Sequence, residues 1–246
     1  MKKLSAIILI ILSSILMHGQ QTDKQDAAQE LKKLTQTYRD AGTLSFDVRY
    51  YYADEKAPAV YLDSVKGSCI MNGSRYRYTL DSTETIFSDN YVIVLYKEDE
   101  LMYLAKPSAA APSINPVAMM DSFLAKKDQY TSSIIHEKNN KKIVFDFKEN
   151  LPYKKAEYVI DNKTGFITKI TSVVRTEMLL DPAVQGQAEN SVSSYAIVEV
   201  MFDHYQKTKT DEKVFDVSRY FKKEADQYVA LPPYDSYKIF IGTPNL

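Results

Sequence analysis

The 246-residue chain has one cysteine, no tryptophan, three histidines and only seven glycines. A single cysteine excludes an intrachain disulfide. The place of Cys69 in the alternating stretch Ser68-Cys69-Ile70 predicts a small buried apolar side chain rather than a reactive thiol. Excess charge of either sign is also missing. The formal net charge is −1, and −3 without Lys2 and Lys3, so there is no basic surface for nucleic acid. Catalytic motifs are absent too: no HExxH, CxxC or Gly-x-Ser-x-Gly occurs. Beyond residue 20 the histidines are His136 and His204, each inside a predicted strand. His204 follows Asp203, and neighbours in a regular strand point to opposite faces, which disqualifies them as a ligand pair as long as the strand is regular. The acidic residues are dispersed among lysines, as on a solvated surface. No catalytic residue, no metal and no cofactor is expected, and the protein is not expected to be an enzyme.

The long apolar run of the chain is at its start. Lys2 and Lys3 precede Ala6 to Met17, broken only by Ser13 and Ser14, and polar residues begin at His18. These are the proportions of a secretory signal rather than a membrane span, so residues 1–20 are expected to be removed and the remainder exported and soluble. About 226 residues then form a single domain, 21–246, with 222–246 as a C-terminal extension.

Nineteen tyrosines describe a strand-rich chain, since the tyrosine ring packs on a half-buried pleated surface while its hydroxyl stays wet. The centre of the pattern is Val65 to Lys106. Val65–Met71 alternates, Asn72-Gly73 signals a two-residue hairpin, and Arg75–Leu80 alternates again. Thr85-Ile86-Phe87 leads through Ser88-Asp89-Asn90 to Tyr91–Tyr96, which returns through Leu101–Leu104. Before this meander, Ala27, Leu31, Leu34 and Tyr38 make one apolar stripe on a helix predicted over Asp23 to Asp40, stopped by Gly42. A strand with Leu44, Phe46, Val48 and Tyr50 on one face follows. After a break at Pro107, Pro112 and Pro116, a second helix is predicted over Val117 to Lys127, with Met119, Met120, Phe123 and Leu124 clustered at helical spacing. Further strands are predicted at 132–136, 143–147, 156–160, 166–176 and 195–205, with an insertion over Met178 to Ser194 and a last edge strand at 237–241.

The fold class is therefore α+β, predominantly antiparallel β: about eleven strands with an N-terminal helix and a second short lid helix. Two short helices cover so large a sheet only if it curls over them, leaving an apolar interior where hydrophobic ligands enter; an ordinary filled core has the same periodicity.

The order of elements and several local sequences resemble the bacterial lipoprotein-carrier family, LolA, and the wider group of half-barrels. Glu30-Leu31-Lys32-Lys33-Leu34 through Tyr38 is similar to that family's N-terminal helix, and Leu44-Ser45-Phe46-Asp47 to its first strand. Gly67-Ser68-Cys69-Ile70-Met71 with Tyr76-Arg77-Tyr78 resembles the next strand and its aromatic return. Ser88-Asp89-Asn90-Tyr91-Val92-Ile93-Val94-Leu95-Tyr96 is similar to the Ser-Asp-Gly-x-x-Leu-Trp-x-Tyr hairpin, and Asp161–Ile167 to a later one. The place of the family's working arginine holds Asn72-Gly73, with Arg75 out of register. The resemblance implies an unclosed (half) β-barrel in the periplasm that holds acyl chains of lipoproteins or other lipid and moves them toward the outer membrane. Similar folds serve as stress sensors and envelope-assembly factors. The expected partners are thus lipid or lipoprotein acyl chains, or, in the alternative of a protein-binding module with a filled cavity, inner- or outer-membrane envelope proteins; a monomer is expected. The expected apolar lining is Phe46, Val48, Tyr50, Tyr76, Tyr78, Ile93, Leu95, Met119, Met120, Phe123, Phe145, Phe147, Ile160 and Ile170.

Overall fold

A computed structural model describes residues 22–23, 27–107, 120, 127–180, 193–208, 212–225, 227–243 and 246. The predicted signal segment, the predicted lid helix apart from Met120 and Lys127, and most of the predicted insertion lie outside these residues.

Beyond a two-residue strand β1 (Thr22–Asp23), the chain forms α1 (Ala27–Asp40) and then six antiparallel strands. These are β2 (Thr43–Asp54), β3 (Tyr61–Asn72), β4 (Arg75–Leu80), β5 (Thr83–Phe87), β6 (Val92–Tyr96) and β7 (Leu101–Ala105). A second run follows as β8 (Tyr130–His136), β9 (Asn140–Phe147), β10 (Tyr153–Asp161), β11 (Ile167–Arg175) and β12 (Tyr195–Lys207). The two runs join where β12 pairs antiparallel with β2. The tail adds the hairpin β13 (Phe221–Glu224) and β14 (Gln227–Ala230), and then β15 (Lys238–Ile241). Among the described residues, thirteen strands make one sheet in the order β1-β8-β9-β10-β11-β12-β2-β3-β4-β5-β6-β7-β15. Its edges, β1 and β15, do not pair with each other, so the sheet is unclosed.

Local chemistry accounts for most of the turns. Gly73, at φ +61°, holds the first loop position between Asn72 and Arg75, where a tight hairpin needs a left-handed residue. Ser88 accepts from the Tyr91 N–H at 3.1 Å and donates to the Tyr91 carbonyl at 3.0 Å, closing the next turn. The Asp161 carboxylate accepts from the Thr164 and Lys163 N–H groups, and Gly165 takes φ +73°.

Helix α1 begins at Ala27, later than the predicted Asp23, because Thr22 and Asp23 pair with Ile135 and Ile134 on the edge of β8. Its stripe is buried as expected, and Gly42 at φ +71° ends it. Glu30 on α1 pairs with Lys141 on β9 and with Lys33, while Tyr38 reaches Tyr205 on β12. The core beneath α1 runs from Ile143 and Phe145 on β9 to Tyr76 and Tyr78 on β4. Seven adjacent strands, roughly 29 Å across if laid flat, thus feed one core under a helix about 10 Å wide. The sheet therefore curls around the helix, and the α1 side is its concave face.

The convex face carries a second core. Ile86 opposes Ile93, Ile93 opposes Leu104, and Leu95 opposes Met102, all on one face of β5, β6 and β7. Tyr220 and Phe221 of the tail close over them. The C-terminal segment is thus a cover for the back of the sheet, and its end, β15, adds to β7 in parallel. The predicted edge strand is present.

Candidate ligand-binding site on the concave face

Alternation along β2 puts Leu44, Phe46, Val48, Tyr50 and Tyr52 on the concave side, and pairing carries that face to both neighbours. Phe46 stands opposite Cys69, Val48 opposite Gly67 and Phe202, and Tyr50 opposite Val65 and Val200. Of the expected lining, Phe46, Val48, Tyr76, Tyr78, Met120, Phe145, Ile160 and Ile170 belong to the single buried cluster under α1. Met120 is fully buried, and its sulfur accepts from the Thr35 hydroxyl at 3.9 Å. Tyr50 and Phe147 stand at the margin of this cluster, half-buried. Ile93 and Leu95 are elsewhere, on the convex face in the second core. Alternation groups residues of one strand by face, but it does not say which face meets the helix. Met119 and Phe123 lie outside the described residues.

The side chains directly beneath α1 are packed against one another. The concave face opens farther along the strands, where Tyr50, Tyr52, Val65, Leu80 and Val198 are only half-buried. They share one face by register: Tyr52 opposes Val198, Tyr50 opposes Val65, and Leu80 opposes Gly67. Of these five, only Tyr50 belongs to the lining expected from the sequence. The signal that would have found Tyr52 was the continuation of the Phe46-Val48-Tyr50 alternation by one more step.

Three tyrosines lie close enough to influence one another at the boundary between the packed and open parts. Tyr78 on β4 is 2% exposed, and its hydroxyl has no hydrogen-bond partner among the described residues. The Tyr50 hydroxyl is close enough to interact with it, and Tyr52 lies beyond. Burial raises all three phenols above their ordinary value; Tyr50 and Tyr52 add to the rise at Tyr78, and the Asp63 carboxylate adds to it at Tyr52.

Two open hollows of similar size lie away from this strip. One, of about 480 Å³, is lined by Thr37, Asp40, Ala41, Thr164, Phe166 and Lys207. The other, of about 500 Å³, includes Asp47, Arg49, Lys66, Gly67, Asp203 and His204. Here the expectation that Asp203 and His204 diverge is overturned. A register shift between Asp203 and Gln206 and a φ of +52° at His204 break the alternation. The His204 Nδ1 comes within 3.1 Å of the Asp203 Oδ1 and 2.9 Å of the Asp47 Oδ2. One imidazole and two carboxylates form a donor set suited to a divalent transition cation, but Arg49 already pairs with Asp203 and the histidine is well exposed.

No family model matches the chain, and no curated protein does. Solved structures do match. An uncharacterized conserved protein from Thermus thermophilus aligns with TM-score 0.46 at 8% identity, over 88% of this chain and 99% of its own. A LolA superfamily protein from Nitrosomonas europaea aligns with TM-score 0.39 at 8% identity, over 76% and 96%. A putative outer membrane lipoprotein-sorting protein domain from Vibrio parahaemolyticus aligns with TM-score 0.34 at 7% identity, over 78% and 96%. The likeness is one of fold. Among the described residues, no helix is long and apolar enough to cross a membrane.

Proposed function

We propose that the protein is a non-enzymatic periplasmic carrier that holds the acyl chain of a lipid or lipoprotein at the open end of the concave face. The observation that carries this reading is the half-buried strip Tyr50, Tyr52, Val65, Leu80 and Val198, continuous with the buried core beneath α1. An apolar strip that leads into a core at the mouth of a curled sheet offers a flexible chain both area and shelter from water. The N-terminal apolar segment supports export, and the resemblance of the Ser88–Tyr96 hairpin to the lipoprotein carriers supports the cargo class.

Native mass spectrometry of the protein purified from a periplasmic extract tests the reading. Acyl lipid or acylated peptide should be retained, and Val198→Arg, which puts a charge into the strip, should release it. Protein that arrives empty and fails to bind a fluorescent fatty acyl probe would overturn the proposal.

A further inference from the structure

Tyr78 is the unexplained polar group of the concave face. Its ring is held in the core by Tyr76, Cys69 and their neighbours, and its hydroxyl is buried with no hydrogen-bond partner among the described residues. Buried hydroxyls are normally paired, because removal from water without a partner is costly. The half-open strip begins beside Tyr78, at Leu80 two residues along β4. On β3 the residues facing the concave side are Val65, Gly67 and Cys69, with Tyr50 opposite Val65 and Tyr78 opposite Cys69. Gly67 lies between them and contributes no side chain. A Cβ there would come within 2.2 Å of the Thr79 carbonyl oxygen. No side chain therefore stands between Val65 and Cys69 on this face of β3, and Tyr50 and Tyr52 lie at the half-open end of the face.

We propose that the Tyr78 hydroxyl, flanked by those of Tyr50 and Tyr52, is the polar anchor of the site and donates to the carbonyl oxygen of a neutral acyl ester. This rests on the acyl-carrier reading and narrows it to a ligand class. A tyrosine O–H is a donor that an ester carbonyl can accept from, and the carbonyl joins the chain where the apolar strip meets the hydroxyls. A free carboxylate is disfavoured at the same place, because Asp63 stands opposite Tyr52 and would repel it. The anchor thus sorts esters from fatty acids and from plain hydrocarbon.

The test is Tyr78→Phe, which keeps the ring and removes only the oxygen. Binding of methyl palmitate, palmitate and hexadecane is measured by displacement of a hydrophobic fluorescent probe, alongside thermal unfolding of the ligand-free protein. The wild type should bind the ester most tightly. The variant should lose about tenfold for the ester and nothing for hexadecane, as expected when one good hydrogen bond disappears. Its unfolding temperature without ligand should not fall, because the lost hydroxyl had no partner. A clear fall would show that the hydroxyl is satisfied inside the protein and would overturn the anchor. Ester affinity unchanged in the variant would also overturn it while leaving the carrier reading standing. A wild type that binds none of the three probes would remove the carrier reading and the anchor with it.

Discussion

The hydroxyls of Tyr38 and Tyr205 lie 2.8 Å apart, and the direction of the hydrogen bond between them is fixed by a third residue. Tyr205 donates to the Ile167 carbonyl at 2.8 Å, so its oxygen can only accept from Tyr38. The Ile167 N–H in turn donates to the Tyr38 oxygen at 3.2 Å. The three groups form a closed ring that ties α1 to β11 and β12. Burial raises both phenols above their ordinary value.

Tyr205→Phe should therefore cost more than an average tyrosine hydroxyl. It leaves the Ile167 carbonyl and the Tyr38 O–H without partners, a loss of about 1–3 kcal/mol. The ring of residue 205 should stay in place, because its stack on Phe166, at 4.7 Å between centroids, needs no oxygen. Urea unfolding measures the cost. A variant as stable as the wild type would mean that the ring does not persist in solution.

The tail makes a different demand. Phe221 is buried over the convex face, with its ring 5.2 Å from Tyr91 and 5.5 Å from Tyr228. It belongs to the same cluster as Ile86, Ile93 and Leu104. Phe221→Ala should destabilise the protein by about 3–5 kcal/mol, the usual cost of a large aromatic cavity. Removing the segment from Phe221 onward should leave a protein that binds hydrophobic dyes and aggregates. Unchanged thermal unfolding in either variant would show that the tail is an appendage rather than a cover.

How much of this was visible beforehand follows from what periodicity can carry. The alternation of Phe46, Val48 and Tyr50, the stripe of Ala27, Leu31, Leu34 and Tyr38, and the turn chemistry around Gly73 and Asp161 are local, and local signals place strands and turns. Ile93 and Leu95 alternate as cleanly as Phe46 and Val48, yet they face the other way. Only the tail's position, a long-range contact, distinguishes the two sides. A bulge leaves no mark in a run such as Met201-Phe202-Asp203-His204-Tyr205, so alternation alone sends His204 away from Asp203. Tyr52 lies one step beyond the alternating run Leu44 to Tyr50 and so is not in the lining that the run predicts. The open strip was thus half legible: its strands were, its boundary with the packed core was not.

Acid should weaken the fold on both faces of the sheet. Burial alone would raise the Glu84 carboxyl, but Arg77 Nε at 2.7 Å and Lys97 Nζ at 3.1 Å outweigh it and hold the group below its ordinary value of 4.5. A carboxyl depressed in the folded state contributes stability above its unfolded value and loses it as pH falls through the folded one. Glu30, held down by Lys141 and Lys33 against the same burial penalty, adds to the effect in the same window. Unfolding free energy should therefore be flat above about pH 5 and fall below pH 4.5. In Glu84→Gln the slope below pH 4.5 should be shallower. An equal slope in both proteins would mean that Glu84 is not paired in solution.

Gly67 offers a local test of the curled sheet. Its φ is ordinary, so alanine meets no backbone strain there, and the objection is one of space. An added Cβ would sit 2.2 Å from the Thr79 carbonyl oxygen and 3.2 Å from the Leu80 Cα, both backbone atoms of β4 that cannot rotate aside. Gly67→Ala must therefore push β3 and β4 apart where Gly67 faces Leu80, at the end of their pairing. The expected cost is about 1–3 kcal/mol, as for other overpacked sites. Amide exchange should localise the damage: the Asp81 N–H, which donates to the Lys66 carbonyl at 3.1 Å, should lose protection, while Ser88 in the next turn keeps its own. Protection unchanged at Asp81, together with wild-type stability, would show that β3 and β4 stand farther apart at Gly67 than this close approach requires.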